Sequence, residues 1–355
     1  MVSVRLFILI SDMLRNFALL MMGGLMCMAT LEVGLRVLPT STYTDTGYHI
    51  DPLIITYRPH HQFRSSWGWN FRDPLDHEAS NLGFLSSRDF LPDSAAVAVV
   101  GDSFVDASML PEAGRVGAQL QSVLGGRPVY AMGGPGSSLL DYAERLRYAA
   151  DKLAVRDFVV IMERGDIKQS YCGSGNIHGP CLIRGSGQSS SDLRSAPSTA
   201  QLYLRHSALL QYLLGHLRFD PVQRLRSALA ALSQPAASTT AAPREYSSAE
   251  LALVLDKFFE RIAPYRRGRL VLVFDSDRNA LNRGEPSSDE TRLIAMAQAR
   301  VRGALVVDTE ASFREYLARS GRRLEVSPLD QHWNPQATAI VARDIAAALT
   351  SSATR

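Results

Sequence analysis

Moving an acyl group by nucleophilic attack takes three residue types: a hydroxyl, a base for its proton, and a carboxylate to orient that base. The chain offers them in two stretches far apart in sequence. The first, Ala96-Val97-Ala98-Val99-Val100-Gly101-Asp102-Ser103-Phe104, is an apolar β-type run ending in a glycine, an acid and a serine. The second, Asp330-Gln331-His332-Trp333-Asn334-Pro335, sets an acid and a histidine just ahead of a helix start. Each has a simpler reading when taken alone. Asp102 or Ser103 caps the helix that follows a strand. Asp330 and His332 are then loop residues, with Asn334 as N-cap and Pro335 in the first turn of the last helix.

The elements that must position these residues are legible from hydrophobic patterning. Five short apolar runs occur at 96–100, 128–132, 158–162, 270–274 and 305–307. Helical patterns lie between most of them, as at 115–124, 139–150, 249–262 and 290–301. Strands alternating with helices predict a mainly parallel sheet covered on both faces. Sites in such sheets lie at the carboxyl ends of the strands, and Ser103, Gly133 and Gly165 each follow the end of a run. The last helix repeats apolar residues at Ile340, Val341, Ile345 and Leu349, a stripe that packs on the sheet and steadies the loop carrying His332.

Gly-Asp-Ser-Phe after a strand resembles the first signature block of the SGNH/GDSL hydrolase superfamily, and Asp-x-His-Trp resembles its last, in the same order. The resemblance spans residues 96–350. It implies a flavodoxin-like three-layer α/β/α sandwich, with Ser103 as nucleophile, His332 as general base and Asp330 as its orienting partner. The family's second block matches Gly133 in Ala131-Met132-Gly133-Gly134-Pro135-Gly136, whose N–H would join that of Ser103 in an oxyanion hole. The third block, Gly-x-Asn-Asp, is where the chain departs. It reads Glu163-Arg164-Gly165-Asp166, so Gly165 stands where the asparagine would be and one donor is missing. Asp102 and Asp166 read as acids that brace their own loops.

The resemblance implies ester chemistry without a cofactor or metal. The spelling of the last block is similar to that of SGNH-type proteins of exopolysaccharide acetylation systems. An acylated, acetyl-bearing polysaccharide or glycan is therefore the expected substrate, with a membrane O-acyltransferase as a further partner. The expected activity is a serine esterase or acyltransferase. The reading from another class is a catalytically weak SGNH-like module that binds polysaccharide or partners an acyltransferase, and Gly165 is its support.

A chain of 355 residues with 46% hydrophobic content holds one large α/β domain plus additions. A net charge of +3 with mixed signs forms no basic stripe, which argues against a nucleic-acid partner. Residues 16–35 carry a single charge, Glu32, and about 20 apolar residues suffice to cross a membrane. Arg5 and Arg15 precede the run, which predicts a cytoplasmic N-terminus. No small-x-small cleavage site follows, and Cys27 lacks the small residues of a lipoprotein site, so a retained signal anchor is favoured over a cleaved signal peptide. These features predict a single-pass protein of the bacterial inner membrane with its large domain in the periplasm.

Cys172 and Cys181 bracket a glycine-rich loop and read as a local disulfide in an oxidising compartment. The alternative is a metal site with His178, though four ligands at zinc-like spacing are not visible. The division expected is an anchor at 1–40, a connector at 41–95 and the hydrolase-like domain at 96–350. An insertion at 171–246 interrupts that domain, with a helical stretch near 202–217 and a flexible linker at 233–243. It reads as a lid or a docking element. In the connector, Trp67 and Trp69 alternate as on one face of an extended strand, either as a sugar platform or, more simply, packed on the domain. His60 and His61 read as solvated loop residues. His77 follows Asp76 and imitates an acid–histidine pair, but no family block surrounds it.

Overall fold

Runs rich in valine, isoleucine and leucine, too short for helices, pair into one sheet: β1 (Val97–Gly101), β2 (Val129–Gly133), β3 (Asp157–Met162), β4 (Leu270–Phe274) and β5 (Leu305–Asp308). The computed structural model describes residues 2–174, 179–217, 245–287, 289–328 and 330–351, with side chains from residue 11 onward. The strand order is β2-β1-β3-β4-β5 and every pairing is parallel. Successive side chains of a strand point to opposite faces. Val97, Val99 and Ile161 thus join one core with helices Val116–Val123, Thr309–Ser320 and Pro335–Thr350. Ala98, Val100 and Val160 join the other with helices Leu139–Leu153, Ser248–Ile262 and Glu290–Val301. Burial on both faces is why the strands read as unbroken apolar runs. The result is the expected α/β/α sandwich in the flavodoxin-like order. That order reverses between β1 and β3, where such sheets open a crevice at their carboxyl ends.

The chain divides into two compact units that cut across the expected boundaries. The sheet unit takes in residues 44–62 and 77–95 of the connector. Ile54, Phe84 and Phe90 lie in its core, and the Tyr57 N–H donates to the Gly83 carbonyl at 2.9 Å. Of the insertion, the strand Pro180–Leu182 belongs to the sheet unit, whereas residues 197–217 belong to the other. His178 and the expected linker at 233–243 lie outside the described residues.

The second unit contains the helix Val2–Val37, the one described helix long and apolar enough to cross a membrane. Its single acid within the apolar run, Glu32, has a structural use. The carboxylate accepts from the N–H groups of Ala208 (3.0 Å) and Leu209 (2.9 Å) and from the Ser207 hydroxyl (2.7 Å). It thereby satisfies the open N-terminal donors of the short helix Ala208–Gln211. Trp67 and Trp69 do not share an extended face, because Gly68 (φ 67°) closes a turn with the N–H of Phe71. Trp69 is 71% exposed.

Candidate active site

The site starts at the carboxyl end of β1. A Cβ on Gly101 would lie 2.5 Å from Val105 Cγ2, so only glycine lets the chain fold back this tightly. Asp102 then caps the helix Ser103–Asp106, its Oδ1 accepting from the Phe104 N–H at 2.9 Å. Ser103 is the first helical residue, a position whose N–H has no acceptor within the helix. From beneath, the buried Arg145 donates to the Gly101 carbonyl (2.8 Å) and to Ser137 Oγ (2.9 Å). Gly134 leaves the space for this guanidinium, which a Cβ there would overlap.

Asp330 and His332 lie on a short strand, Asp330–Trp333, paired antiparallel with Glu325–Ser327. His332 Nδ1 is 2.6 Å from Asp330 Oδ1, and His332 Nε2 is 2.7 Å from Ser103 Oγ. The three residues singled out in the sequence therefore meet in one hydrogen-bonded line. A carboxylate on Nδ1 selects the tautomer that leaves Nε2 free to accept the serine proton. Trp333, 1% exposed, donates its indole N–H to Asp275 Oδ1 at 2.8 Å. Arg278 bonds both the Asp275 carboxylate and the Gln331 carbonyl. The Phe104 ring packs 5.0 Å from the His332 ring and 5.1 Å from that of Trp333. Asn334 caps the last helix as expected, accepting from the N–H groups of Gln336 and Ala337, each at 3.0 Å.

Ser103 and His332 open into a cleft of about 340 Å³ whose wall also includes Gly136, Glu163, Arg164, Gln169 and Arg278. Gly133 is not part of that wall. It is buried as the last residue of β2, in register with Gly101, and the backbone of Asp106 occupies the place a Cβ would take. Gly136, at φ 75°, lines the cleft instead. Gly165 lies just after β3 in a right-handed conformation (φ −83°, ψ −24°), its N–H donating to Glu163 Oε2 at 2.5 Å.

Burial dominates the electrostatics here. It pushes the Asp102 carboxyl up to about 6, reinforced by the Glu163 charge and opposed by the Phe104 N–H. Asp166 is fully buried and held well above the usual carboxylate range, first by burial and then by the charges of Asp102 and Glu163. Its Oδ2 accepts from the Glu163 N–H at 2.7 Å, the loop-bracing role expected of it. Arg164 pairs with Asp277 at 2.6 Å. Cys172 and Cys181 are joined in a disulfide.

Arg145, Asp275 and Arg278 escaped the sequence reading. Asp275 had one available signal, its place directly after β4 at the functional end of the sheet. Neither arginine carries a motif or spacing that marks it in the sequence.

No protein-family model and no curated protein matches the chain. Solved structures similar to it include a lipolytic protein of the G-D-S-L family from Veillonella parvula, at 11% identity over 70% of this chain and 94% of that one, with a TM-score of 0.37. A mutant acetyl-xylooligosaccharide esterase from a Geobacillus is 13% identical over 75% of this chain and 98% of that one, with a TM-score of 0.39. A lipase/acylhydrolase from Enterococcus faecalis is 12% identical over 72% and 97%, with a TM-score of 0.37.

Proposed function

We propose that the chain is a serine esterase or acyltransferase that works on acyl groups, acetyl foremost, of an envelope or exported polysaccharide. The observation that carries this reading is the line Ser103–His332–Asp330 at the edge of an open cleft, with distances of 2.7 and 2.6 Å. Ser103 Oγ attacks the ester carbonyl while His332 Nε2 takes its proton. The tetrahedral intermediate collapses as the C–O bond to the alcohol breaks and His332 returns the proton to the leaving oxygen. Water or a second sugar hydroxyl then takes the acyl group from Ser103 by the same steps in reverse. Backbone N–H groups of Ser103 and Gly136 serve as oxyanion donors in this scheme.

A polysaccharide substrate suits a polar cleft walled by carboxylates and guanidinium groups rather than an apolar lipid slot. The apolar N-terminal helix and the disulfide support a membrane-anchored domain facing an oxidising compartment. The deciding experiment is labelling of the full-length protein with a fluorophosphonate probe, alongside Ser103→Ala. The wild type is expected to label and to hydrolyse an aryl acetate, with turnover about 10⁴-fold or more lower in the variant. Labelling that survives in Ser103→Ala moves the chemistry elsewhere. A folded wild type that neither labels nor turns over supports the binding-module reading instead.

A further inference from the structure

An ester carbonyl attacked by Ser103 gathers negative charge on its oxygen, and donors already aimed there lower the barrier strongly. The charged donors of the cleft are engaged elsewhere, Arg164 with Asp277 and Arg278 with Asp275 and the Gln331 carbonyl. Gln169 lines the same cleft as Ser103 and His332, its Nε2 lies beside Gly165, and its amide has no hydrogen-bond partner among the described residues.

Gln169 owes its place to Gly165. The helix Asp166–Gln169 begins there, with the Gln169 N–H donating to the Gly165 carbonyl at 2.9 Å. Side chains in a helix lean back toward its N-terminus, so residue i+4 covers residue i. A Cβ at position 165 would overlap Gln169 Nε2 and lie 2.7 Å from Glu163 Oε2. The bare glycine and the amide one turn later are thus one feature, in which the second fills the space the first leaves open. The Gln169 carbonyl accepts from Ser174 Oγ at 2.8 Å, close to the Cys172–Cys181 bridge, which steadies the backbone beneath it.

We infer that Gln169 Nε2 is the side-chain oxyanion donor of this site, completing a hole with the N–H groups of Ser103 and Gly136. The inference rests on the acyl-transfer reading and names the third donor that reading needs. As the Oγ–C bond forms and the carbonyl electron pair moves to oxygen, the amide donates a hydrogen bond and gives up no proton.

The test compares the full-length wild type with Gln169→Ala, Gln169→Glu and Gly165→Asn on an aryl acetate, with thermal melts to confirm folding. Gln169→Ala should lose about 10²–10³ in kcat with KM within threefold. Gln169→Glu, which cannot donate when ionised and repels the oxyanion, should lose at least as much. Gly165→Asn should lower turnover because it displaces the amide. A kcat for Gln169→Ala within threefold of the wild type, a loss confined to KM, or a gain from Gly165→Asn each overturns the assignment while leaving acyl transfer at Ser103 standing. A wild type without labelling or turnover overturns both.

Discussion

The four-residue helix Ser103–Asp106 carries a polar cluster at each end, and the two are built from similar parts. At the start, Ser103 meets His332 and Asp330, all partly exposed, at the edge of a cleft. At the end, Asp106 (1% exposed) lies with Tyr57, Arg115 and His77, all nearly sealed from solvent. There the Tyr57 hydroxyl and the Arg115 guanidinium face the carboxylate, yet burial still raises the Asp106 carboxyl above its ordinary value. Arg115 Nη2 is 2.7 Å from His77 Nδ1, and an arginine can only donate, so the imidazole nitrogen accepts. One histidine is oriented by a carboxylate with its far nitrogen aimed at a hydroxyl. The other faces a guanidinium inside the packed scaffold. Of the two clusters, the one at Ser103 borders an open cleft with room for a further group, and the one at Asp106 is closed in by packing.

The comparison is most easily broken through its two histidines. His332→Ala should reduce probe labelling and turnover by about 10⁴-fold. His77→Ala should leave kcat within a few-fold and lower stability by about 1–3 kcal/mol, since it strips a buried arginine of its acceptor. Urea unfolding and labelling rates measured on the same samples check both, and a folded His77→Ala protein that no longer labels would erase the distinction. The next effect should come from Arg115→Met, which takes the buried donor from His77 and a nearby positive charge from the buried Asp106, at a cost of about 1–3 kcal/mol. It reads out as a lower urea midpoint, with part of the loss recovered by adding Asp106→Asn. A shift of less than about 1 kcal/mol would mean that Asp106 is already protonated in the folded chain.

The smallest effect concerns pH. Burial pushes both Asp102 and Asp141 up to about 6, against about 4 in an unfolded chain. The folded state then binds these protons more tightly than the unfolded state. Their contribution to stability is present at low pH, falls as pH rises from about 4 to 6, and stays flat above. Asp102→Asn should reduce the stability difference between pH 4 and pH 7 by on the order of 2 kcal/mol, measured by urea titrations across that range. An unchanged difference would place Asp102 in the ordinary carboxylate range and remove burial as the dominant influence at the serine turn.

By itself the sequence determined what short-range chemistry encodes. Apolar runs marked the five strands, and the Gly-Asp-Ser turn with its capping acid located Ser103. Asn334-Pro335 marked the start of the last helix, and two cysteines nine residues apart marked the bridge. Each is a pattern within a few residues, set by backbone preference, period or loop closure.

The tertiary structure decided which partners these elements meet. Among the glycines of Gly133-Gly134-Pro135-Gly136, sequence could not say which one faces the cleft. One further ladder pair with Gly101 draws Gly133 into the sheet, and the guanidinium of Arg145 claims the space beside Gly134. No sequence pattern marks Arg145 or Arg278; the end of β1 and the acid after β4 meet them in the interior. The connector and insertion divided between two units because their apolar and hydrogen-bonding partners lie tens to well over a hundred residues away, as with Glu32 and Leu209. Those pairings follow from how whole layers pack and which buried polar groups must be satisfied, and no local window of sequence contains both partners.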